Sequence, residues 1–283
     1  MRKPEPLEVG VIFWTGGELG VEASPDEICA SVRALGVRCG QLAVHGAAEL
    51  SEATAAAWRE ALERHEISVV TVFAGFSGES YESIPISRET VGFVPLATRV
   101  EREQRAGAVI DFGAALGVPS FALHVGHVPD PSDEDYAKVR DLVRRVCDRC
   151  AAHGMTFALE TGQESAAALL QFLKDVDREN LGINFDPANM ILYGSGEPLD
   201  ALELVKERVI SVHCKDGARP ESEGEWGKET PLGEGDVGMD RYVAKLKEIG
   251  YMGSLTIERE IVGDEQRADI LGAIALLERL RAA

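Results

Sequence analysis

Short apolar runs alternate with amphipathic segments along the whole chain. The apolar runs are rich in Val, Ile and Phe, which is typical of parallel strands whose outer faces are covered by helices. They predict eight strands, near residues 8–14, 38–44, 67–74, 119–124, 155–160, 181–185, 209–213 and 254–258. The amphipathic segments predict helices near residues 25–35, 51–65, 99–116, 133–153, 164–175, 198–206, 237–249 and 264–281.

Helix boundary signals support this division. Ser24 and Ser132 each place a hydroxyl just before an acidic first turn, as expected of residues that cap a helix N-terminus. Glycines that follow the helical segments are expected to adopt the left-handed conformation that ends a helix; they are Gly36, Gly117, Gly154 and Gly250.

Strand–helix alternation without a linker favours an α/β fold, a single (β/α)8 TIM barrel formed by residues 1–283 as one domain. A doubly wound open sheet is the alternative, but Thr15-Gly16-Gly17-Glu18 after the first strand does not match its usual glycine fingerprint. Two long segments, 75–98 and 214–236, follow predicted strands at their carboxyl ends. Because that end of a barrel carries function, both are candidate lids or pocket walls.

Charge and composition restrict the class of protein. The 283 residues carry a formal net charge of −19, and 45% of them are hydrophobic, enough for a sizeable core. So negative a chain is not expected to bind nucleic acid, since that affinity depends on basic groups that neutralise phosphates. The apolar run after the basic N-terminus is too short for a signal peptide, and no later run approaches a membrane span. We therefore expect a cytoplasmic protein that does not bind membranes.

The five cysteines do not form a disulfide framework, because their number is odd and they are widely spaced. Cys147 and Cys150 form a CxxC pair, but this pair lies within a helical pattern and has no second pair to complete a zinc site. We interpret both as ordinary reduced residues of a helix rather than as a metal or redox site.

Four of the predicted strands end in a side chain that can bind a metal. They are the strands that end in Glu160, Asp186, His213 and Glu258. Each residue alone has an ordinary explanation: a rim carboxylate that caps a helix, an Asx-turn residue, a hydrogen-bonded core histidine and an outward ion pair with Arg259. Their shared position at strand carboxyl ends favours one site at one rim of the barrel. Three carboxylates and one imidazole suit one divalent metal, with Mn²⁺, Mg²⁺, Co²⁺ and Zn²⁺ as candidates.

Other polar and aromatic residues near predicted strand ends are candidates for a pocket above the metal. Trp14, His45 and His124 lie where strands meet the rim, whereas His127 is expected further out in its loop. Phe13 and Phe73 could each line the pocket or belong to the core, and we expect one of them to be core. Two further candidates follow strand seven: Lys215, which could bind an anionic group or pair with Asp216, and Trp226, a loop residue that could serve a lid or an oligomer contact.

The motifs together resemble the xylose isomerase-like TIM-barrel superfamily, which includes sugar phosphate isomerases and epimerases and the AP endonuclease 2 family type. The resemblance rests on ALETG at 158–162, NFDPANM at 184–190, HCKDG at 213–217, GEGDV at 233–237 and LTIERE at 255–260. It covers nearly the whole chain in strand order and is densest from 155 to 260.

The resemblance implies roles for individual residues. Glu160, Asp186, His213 and Glu258 would bind one metal ion, and the two glutamates would also act as the acid/base pair. Among the candidate metals we favour Mn²⁺. Arg219, six residues after the histidine, matches an arginine that contacts substrate. Asn189 occupies a position where many members have histidine, a difference that disfavours a three-zinc nuclease and leaves the substrate open. Members are often homodimers or homotetramers, which the loops 75–98 and 214–236 could support.

The favoured function is a metal-dependent isomerase or epimerase of a ketose, polyol or sugar phosphate, working by proton transfer through a metal-bound enediolate. One alternative is a dehydratase or lyase of the inosose type, or a C-glycoside-cleaving enzyme, since the same site could expel a β-substituent. Less favoured are a non-catalytic barrel, which would bind no metal, and a DNA-repair endonuclease, which the charge and Asn189 oppose.

Overall fold

The structure, a computed structural model, describes residues 3–16, 23–222 and 224–283. Gly17 and Glu18, part of the segment that lacks a nucleotide-binding fingerprint, lie outside these residues. In chain order the strands are β1 (Val9–Trp14), β2 (Cys39–Val44), β3 (Ser68–Ala74), β4 (Ser120–Leu123), β5 (Thr156–Glu160), β6 (Leu181–Phe185), β7 (Val209–Cys214), β8 (Asp216–Ala218), β9 (Lys228–Thr230) and β10 (Leu255–Ile257).

Eight of these strands close into a parallel barrel in the order β1-β10-β7-β6-β5-β4-β3-β2, which confirms the predicted fold class. The first strand completes the closure, because it pairs with β2 on one side and with β10 on the other. Within the described residues, β8 and β9 form a separate antiparallel hairpin in the segment 214–236. All eight predicted barrel strands are present, with ends that differ by at most two residues.

The helices surround this barrel. They are α1 (Pro25–Ala34), α2 (Glu52–Arg64), α3 (Ile84–Thr90), α4 (Arg99–Leu116), α5 (Tyr136–Ala152), α6 (Ala166–Val176), α7 (Pro187–Tyr193), α8 (Pro198–Val205), α9 (Met239–Glu248) and α10 (Asp264–Ala282). Two of them, α3 and α7, lie where loops or turns were predicted. In the case of α7, Pro187 is the first helical residue, a position that proline favours because it needs no amide hydrogen there.

The predicted boundary signals were correct in part. Ser24 forms a reciprocal capping box with Glu27 at the start of α1. Ser132 does not cap α5; its hydroxyl donates to Asp130 instead, and the helix begins later, at Tyr136. The four glycines predicted to end helices all have the expected positive φ: Gly36, Gly117, Gly154 and Gly250.

Hydrophobic residues form two distinct layers. The larger lies between strands and helices, where Phe13 contacts Trp58 of α2 and where Cys147 and Cys150 are buried as free thiols of α5. A smaller cluster contains only four buried side chains, three alanines and one phenylalanine: Ala43, Phe73, Ala122 and Ala158. The small alanine side chains of β2, β4 and β5 leave room for polar groups. Among the described helices, none is long and apolar enough to cross a membrane.

Candidate metal centre

The four predicted ligands meet at one rim of the barrel. One ligand atom from each of Glu160, Asp186, His213 and Glu258 lies within 4.8 Å of the other three. Glu160 ends β5, Asp186 follows β6, His213 belongs to β7 and Glu258 follows β10. These strands are consecutive neighbours around the barrel, so their carboxyl ends bring together residues that are far apart in sequence.

His213 is oriented by contacts at both ring nitrogens. Its Nδ1 faces three carboxylate oxygens, at 3.1 Å from Glu160 Oε1, 3.3 Å from Glu258 Oε2 and 3.5 Å from Asp186 Oδ2. Its Nε2 lies 3.2 Å from Gln41 Oε1. The Asn184 side-chain nitrogen also lies 3.2 Å from Nε2. In a metal-bound site the ring proton would lie on Nε2, where the Gln41 oxygen can accept it. The lone pair of Nδ1 then points at the carboxylate cluster, as a metal ligand requires.

A buried polar layer beneath the carboxylates supports this orientation, and sequence analysis missed it. The Gln41 side chain donates to Asn184 Oδ1 at 3.0 Å, and the Ser211 hydroxyl donates to the same oxygen at 2.5 Å. Gln41 and Asn184 are fully buried, and Ser211 is nearly so. The available signal was one polar residue in each of the apolar strands CGQLAV and LGINF, and a serine two residues before His213 in VISVHC.

Two carboxylate oxygens in the cluster have no hydrogen-bond partner among the described residues. Asp186 Oδ2 and Glu160 Oε2 are both buried, and His124 Nε2, which lies 3.2 Å from Glu160 Oε2, is outside hydrogen-bonding geometry. Buried carboxylate oxygens are costly unless a donor or a cation compensates them. A divalent cation between the four side chains would provide that compensation, so the residues present fit a metal ion.

The pKa values of the two glutamates are shifted in opposite directions by burial and by the charges around them. Burial raises the pKa of Glu160, although the neighbouring His124 and His213 partly oppose this. Burial would also raise the pKa of Glu258, but His213 and Lys215 together hold it well below its usual range. The pKa of His213 is raised, because the attraction of Glu258 and Glu160 outweighs the effect of burial. The cluster therefore attracts positive charge strongly.

Lys215 lies beside the cluster and does not pair with Asp216. Its Nζ contacts Glu258 Oε2 at 3.1 Å, Asn189 Oδ1 at 3.3 Å and, more closely, Glu260 Oε2. Asn189 also donates to Glu160 Oε1 at 3.0 Å. The asparagine thus connects the lysine to a predicted ligand on the opposite side of the cluster.

Asp216 instead organises the loop that carries the hairpin. Its two carboxylate oxygens accept hydrogen bonds from the backbone amides of Gly217, Gly233 and Val237 at 2.9 to 3.2 Å. A Cβ atom at Gly235 would lie 2.3 Å from Asp216 Oδ1, so this close approach requires glycine. The motif GEGDV therefore wraps around a buried carboxylate.

The remaining predicted substrate contacts lie at different distances from the cluster. His124 is adjacent to Glu160, and its ring contacts those of Phe73 and Tyr81. Trp14 is 40% exposed at the end of β1. His45 is exposed, and its Nδ1 accepts a hydrogen bond from the amide of Ala47 in its own loop. Arg219 is exposed and its guanidinium donates to Glu197 at 2.8 Å.

Aromatic residues divide between core and site. Phe13 faces the helices, whereas Phe73 lies inside the barrel, with its ring 6.0 Å from that of His213. Tyr193, which sequence analysis did not select, contacts both His127 and Trp226, and the Trp226 ring centroid lies only 4.3 Å from its own. Trp226 is thus half-buried against α7 rather than freely exposed.

Comparison with known proteins is consistent with this arrangement. Residues 29–281 match the family described as Xylose isomerase-like TIM barrel. The chain belongs to this family. The crystal structure of a Xylose isomerase domain protein from Planctomyces limnophilus is 42% identical, with a TM-score of 0.91 over 98% of each chain. The two chains thus share this barrel over nearly their whole length.

More distant structures share the fold. A Xylose isomerase-like TIM barrel protein from Mycobacterium smegmatis, in complex with magnesium, is 17% identical, with a TM-score of 0.76 over 98% of this chain and 97% of that one. A D-allulose 3-epimerase from Methylomonas sp. is 18% identical, with a TM-score of 0.70 over 99% and 100%. A probable 3-DHS dehydratase from Bacillus anthracis is 15% identical, with a TM-score of 0.69 over 95% and 99%.

An uncharacterized protein of Methanocaldococcus jannaschii is 26% identical over 154 residues. The matching region spans about half of this chain and about half of that relative.

Proposed function

We propose that the protein is a divalent-metal-dependent isomerase or epimerase of a ketose or related polyol. The observation that carries the proposal is the placement of Glu160 and Glu258, which approach His213 Nδ1 from strands on either side of β7. Two carboxylates around one ligand position suit proton transfer at a carbon between them. Proteins that share the fold include 3-epimerases and a dehydratase.

The predicted ligands Glu160, Asp186, His213 and Glu258 would hold the metal ion. When bound, a divalent cation would polarise a substrate carbonyl and so acidify the neighbouring C–H bond. Three carboxylates and one imidazole suit Mn²⁺, Mg²⁺, Co²⁺ and Zn²⁺. We infer Mn²⁺ as the first of these metals to test.

The chain's own residues would then move the proton. One glutamate removes the proton from carbon. In one route the other glutamate, protonated beforehand, donates its own proton on the opposite face; in the second route the same glutamate returns the proton at the neighbouring carbon. The first route gives epimerisation and the second gives isomerisation. Lys215 and Asn189 hold Glu258 and Glu160 in place through the hydrogen bonds described above.

A second candidate is a dehydratase or lyase, and His124 is the observation that favours it. Its Nε2 lies 3.2 Å from Glu160 Oε2, so the His124 imidazole provides a second acid/base group next to the Glu160 carboxylate. A protonated imidazole there could transfer its proton to a departing hydroxyl after Glu160 had removed the C–H proton. The products separate the two candidates, since elimination loses water and leaves a conjugated carbonyl compound.

The experiment that tests the proposal has two stages. Elemental analysis of the desalted wild-type protein should find about one equivalent of a divalent metal, and His213→Ala should hold little. The metal-loaded protein is then incubated with D-allulose, D-fructose and D-tagatose in D₂O, and NMR follows deuterium incorporation at carbon. Wild type should exchange one carbon-bound hydrogen, and Glu258→Gln should fold yet lose exchange. No metal binding after added Mn²⁺, or normal exchange in Glu258→Gln, would refute the mechanism.

A further inference from the structure

Lys215 contacts the predicted metal ligand Glu258, and its hydrogen-bonding capacity is fully used. An ammonium group has three N–H donors. Three acceptors surround Nζ: Asn189 Oδ1, Glu258 Oε2 and Glu260 Oε2. The side chain is only 2% exposed, so no further donor is directed toward solvent. A substrate phosphate or carboxylate can reach this ammonium only by replacing one of the three acceptors.

The three acceptors differ in how easily they could be replaced. Asn189 is buried, and the Glu258 side chain is 10% exposed and serves as a predicted ligand. The Glu260 side chain is 57% exposed and covers Lys215 from the solvent side. The main chain at Glu260 is anchored, because its backbone amide donates to both carboxylate oxygens of Glu229, at 3.1 and 3.2 Å.

Neighbouring cations are neutralised in the same way. Arg259 contacts Glu229 at 3.1 Å and Asp269 at 2.9 Å. Arg219 contacts Glu197 at 2.8 Å. These arginines therefore already face carboxylates on the side of the barrel where Glu258 lies.

The net charge of the site also disfavours anionic substrates. Three carboxylate ligands balance a divalent cation together with the Lys215 ammonium, so the Glu260 carboxylate leaves the loaded site with a net negative charge. Substrates with a phosphate or carboxylate group would be repelled, whereas a neutral sugar would not.

We propose that Glu260 is a specificity-determining residue, which occupies the outward side of Lys215 and restricts the site to uncharged polyhydroxy ketones. The inference rests on the proposed function and makes it more specific, because it separates free sugars from sugar phosphates. Glu260→Ala removes both the charge and the acceptor, while Glu260→Gln removes the charge alone and keeps an acceptor for Lys215. Comparison of the two variants therefore separates the electrostatic repulsion of anionic substrates from the occupation of the third N–H group of Lys215.

The test compares the binding of D-allulose and D-allulose 6-phosphate to the Mn²⁺-loaded protein by calorimetry. We expect wild type to bind the neutral sugar at least about tenfold more tightly than its phosphate. Glu260→Ala should reduce this ratio by at least about tenfold, and Glu260→Gln by a smaller factor. The control Glu103→Gln removes an equal charge far from the site, beside Arg145, and should leave the ratio unchanged.

Results that would contradict this inference can be distinguished from a result that would reject the proposed function. Preferential binding of the phosphate by wild type would overturn the inference while leaving the proposed function intact. Loss of that binding in Arg88→Ala would identify Arg88, an exposed cation of α3, as the anion contact instead. An unchanged ratio in a folded Glu260→Ala would also overturn it. Binding of neither sugar by metal-loaded wild type would reject the proposed function on ketoses, and this inference with it.

Discussion

His213 Nε2 and Gln41 Oε1 lie 3.2 Å apart although 172 residues separate them in sequence. The contact joins β2 to β7 across the interior of the barrel, where neither strand is the neighbour of the other. It is this contact that directs the Nδ1 lone pair of His213 toward the three carboxylates. The orientation of a predicted ligand therefore depends on a residue that is not itself one of the four predicted ligands.

Replacing Gln41 with Leu should weaken metal binding while preserving all four ligands. The Nε2–H of His213 would lose its acceptor, and loss of such an outer contact typically costs about 10- to 100-fold in metal affinity. Calorimetric titration with Mn²⁺ measures the effect. Ser120→Ala is the matched control, since this buried hydroxyl on β4 has no hydrogen-bond partner among the described residues. Equal affinities in Gln41→Leu and wild type would reject the role of Gln41.

Replacing Asp186 with Asn should separate stability from metal binding. The variant keeps Oδ1, which accepts from the Asn189 amide at the start of α7, but loses charge at the unpartnered Oδ2. We expect a melting temperature without metal equal to or above that of wild type, because one buried charge is removed. Mn²⁺ at about 100 times its dissociation constant should stabilise wild type by about 2.7 kcal/mol, and this gain should vanish in the variant. Asp148→Asn, a surface control beside Arg178, should retain the gain.

Replacing Asp216 with Ala should destabilise the protein. Three backbone amides would lose a charged acceptor, and hydrogen bonds to charged groups contribute about 1.5 to 3 kcal/mol each. Because the three bonds share one carboxylate, their contributions do not add in full, and we expect a loss of at least about 3 kcal/mol in the free energy of unfolding. Urea denaturation measures it. Asp130→Ala changes an exposed aspartate whose partner is Ser132 and should cost far less. Similar losses in both variants would contradict the assigned role of Asp216.

Glu164 should make stability depend on pH. Burial raises the pKa of this carboxyl to about 7, although the amide of Val128 donates to it. Between the unfolded value near 4.5 and about 7 the folded state binds more protons than the unfolded state, so this group's stabilisation is lost as pH rises through that range. Urea denaturation from pH 5 to pH 8 should show wild type losing stability relative to Glu164→Gln. An exposed control, Glu134→Gln, should follow wild type throughout.

The sequence was most informative where burial constrains composition. Strands enclosed by helices appear as continuous apolar runs, so β1 to β7 and β10 could be located within two residues of their ends. A titratable residue at the end of such a run stands out, which is why Glu160 and His213 could be selected. Their convergence then followed from the barrel, since parallel strands present their carboxyl ends on one rim.

Features that depend on contacts between distant strands could not be predicted. A single glutamine in β2 resembles any polar residue of a strand, and only the closed barrel brings Gln41 beside His213 and Asn184. The choice of Glu260 rather than Asp216 as partner of Lys215 depends on how the chain leaves β10. Helix α7 was not predicted, because Asp186 and Pro187 are equally typical of a turn and of a helix N-terminus, where proline needs no amide hydrogen.

The place of β10 has a consequence for how the protein matures. This strand lies between β1 and β7, and the chain supplies Glu258 45 residues after His213, immediately beyond it. A nascent chain that has left the ribosome only as far as β7 holds three of the four ligands in an open sheet. Barrel closure and completion of the ligand set are therefore one event, and tight metal loading during synthesis must wait for it.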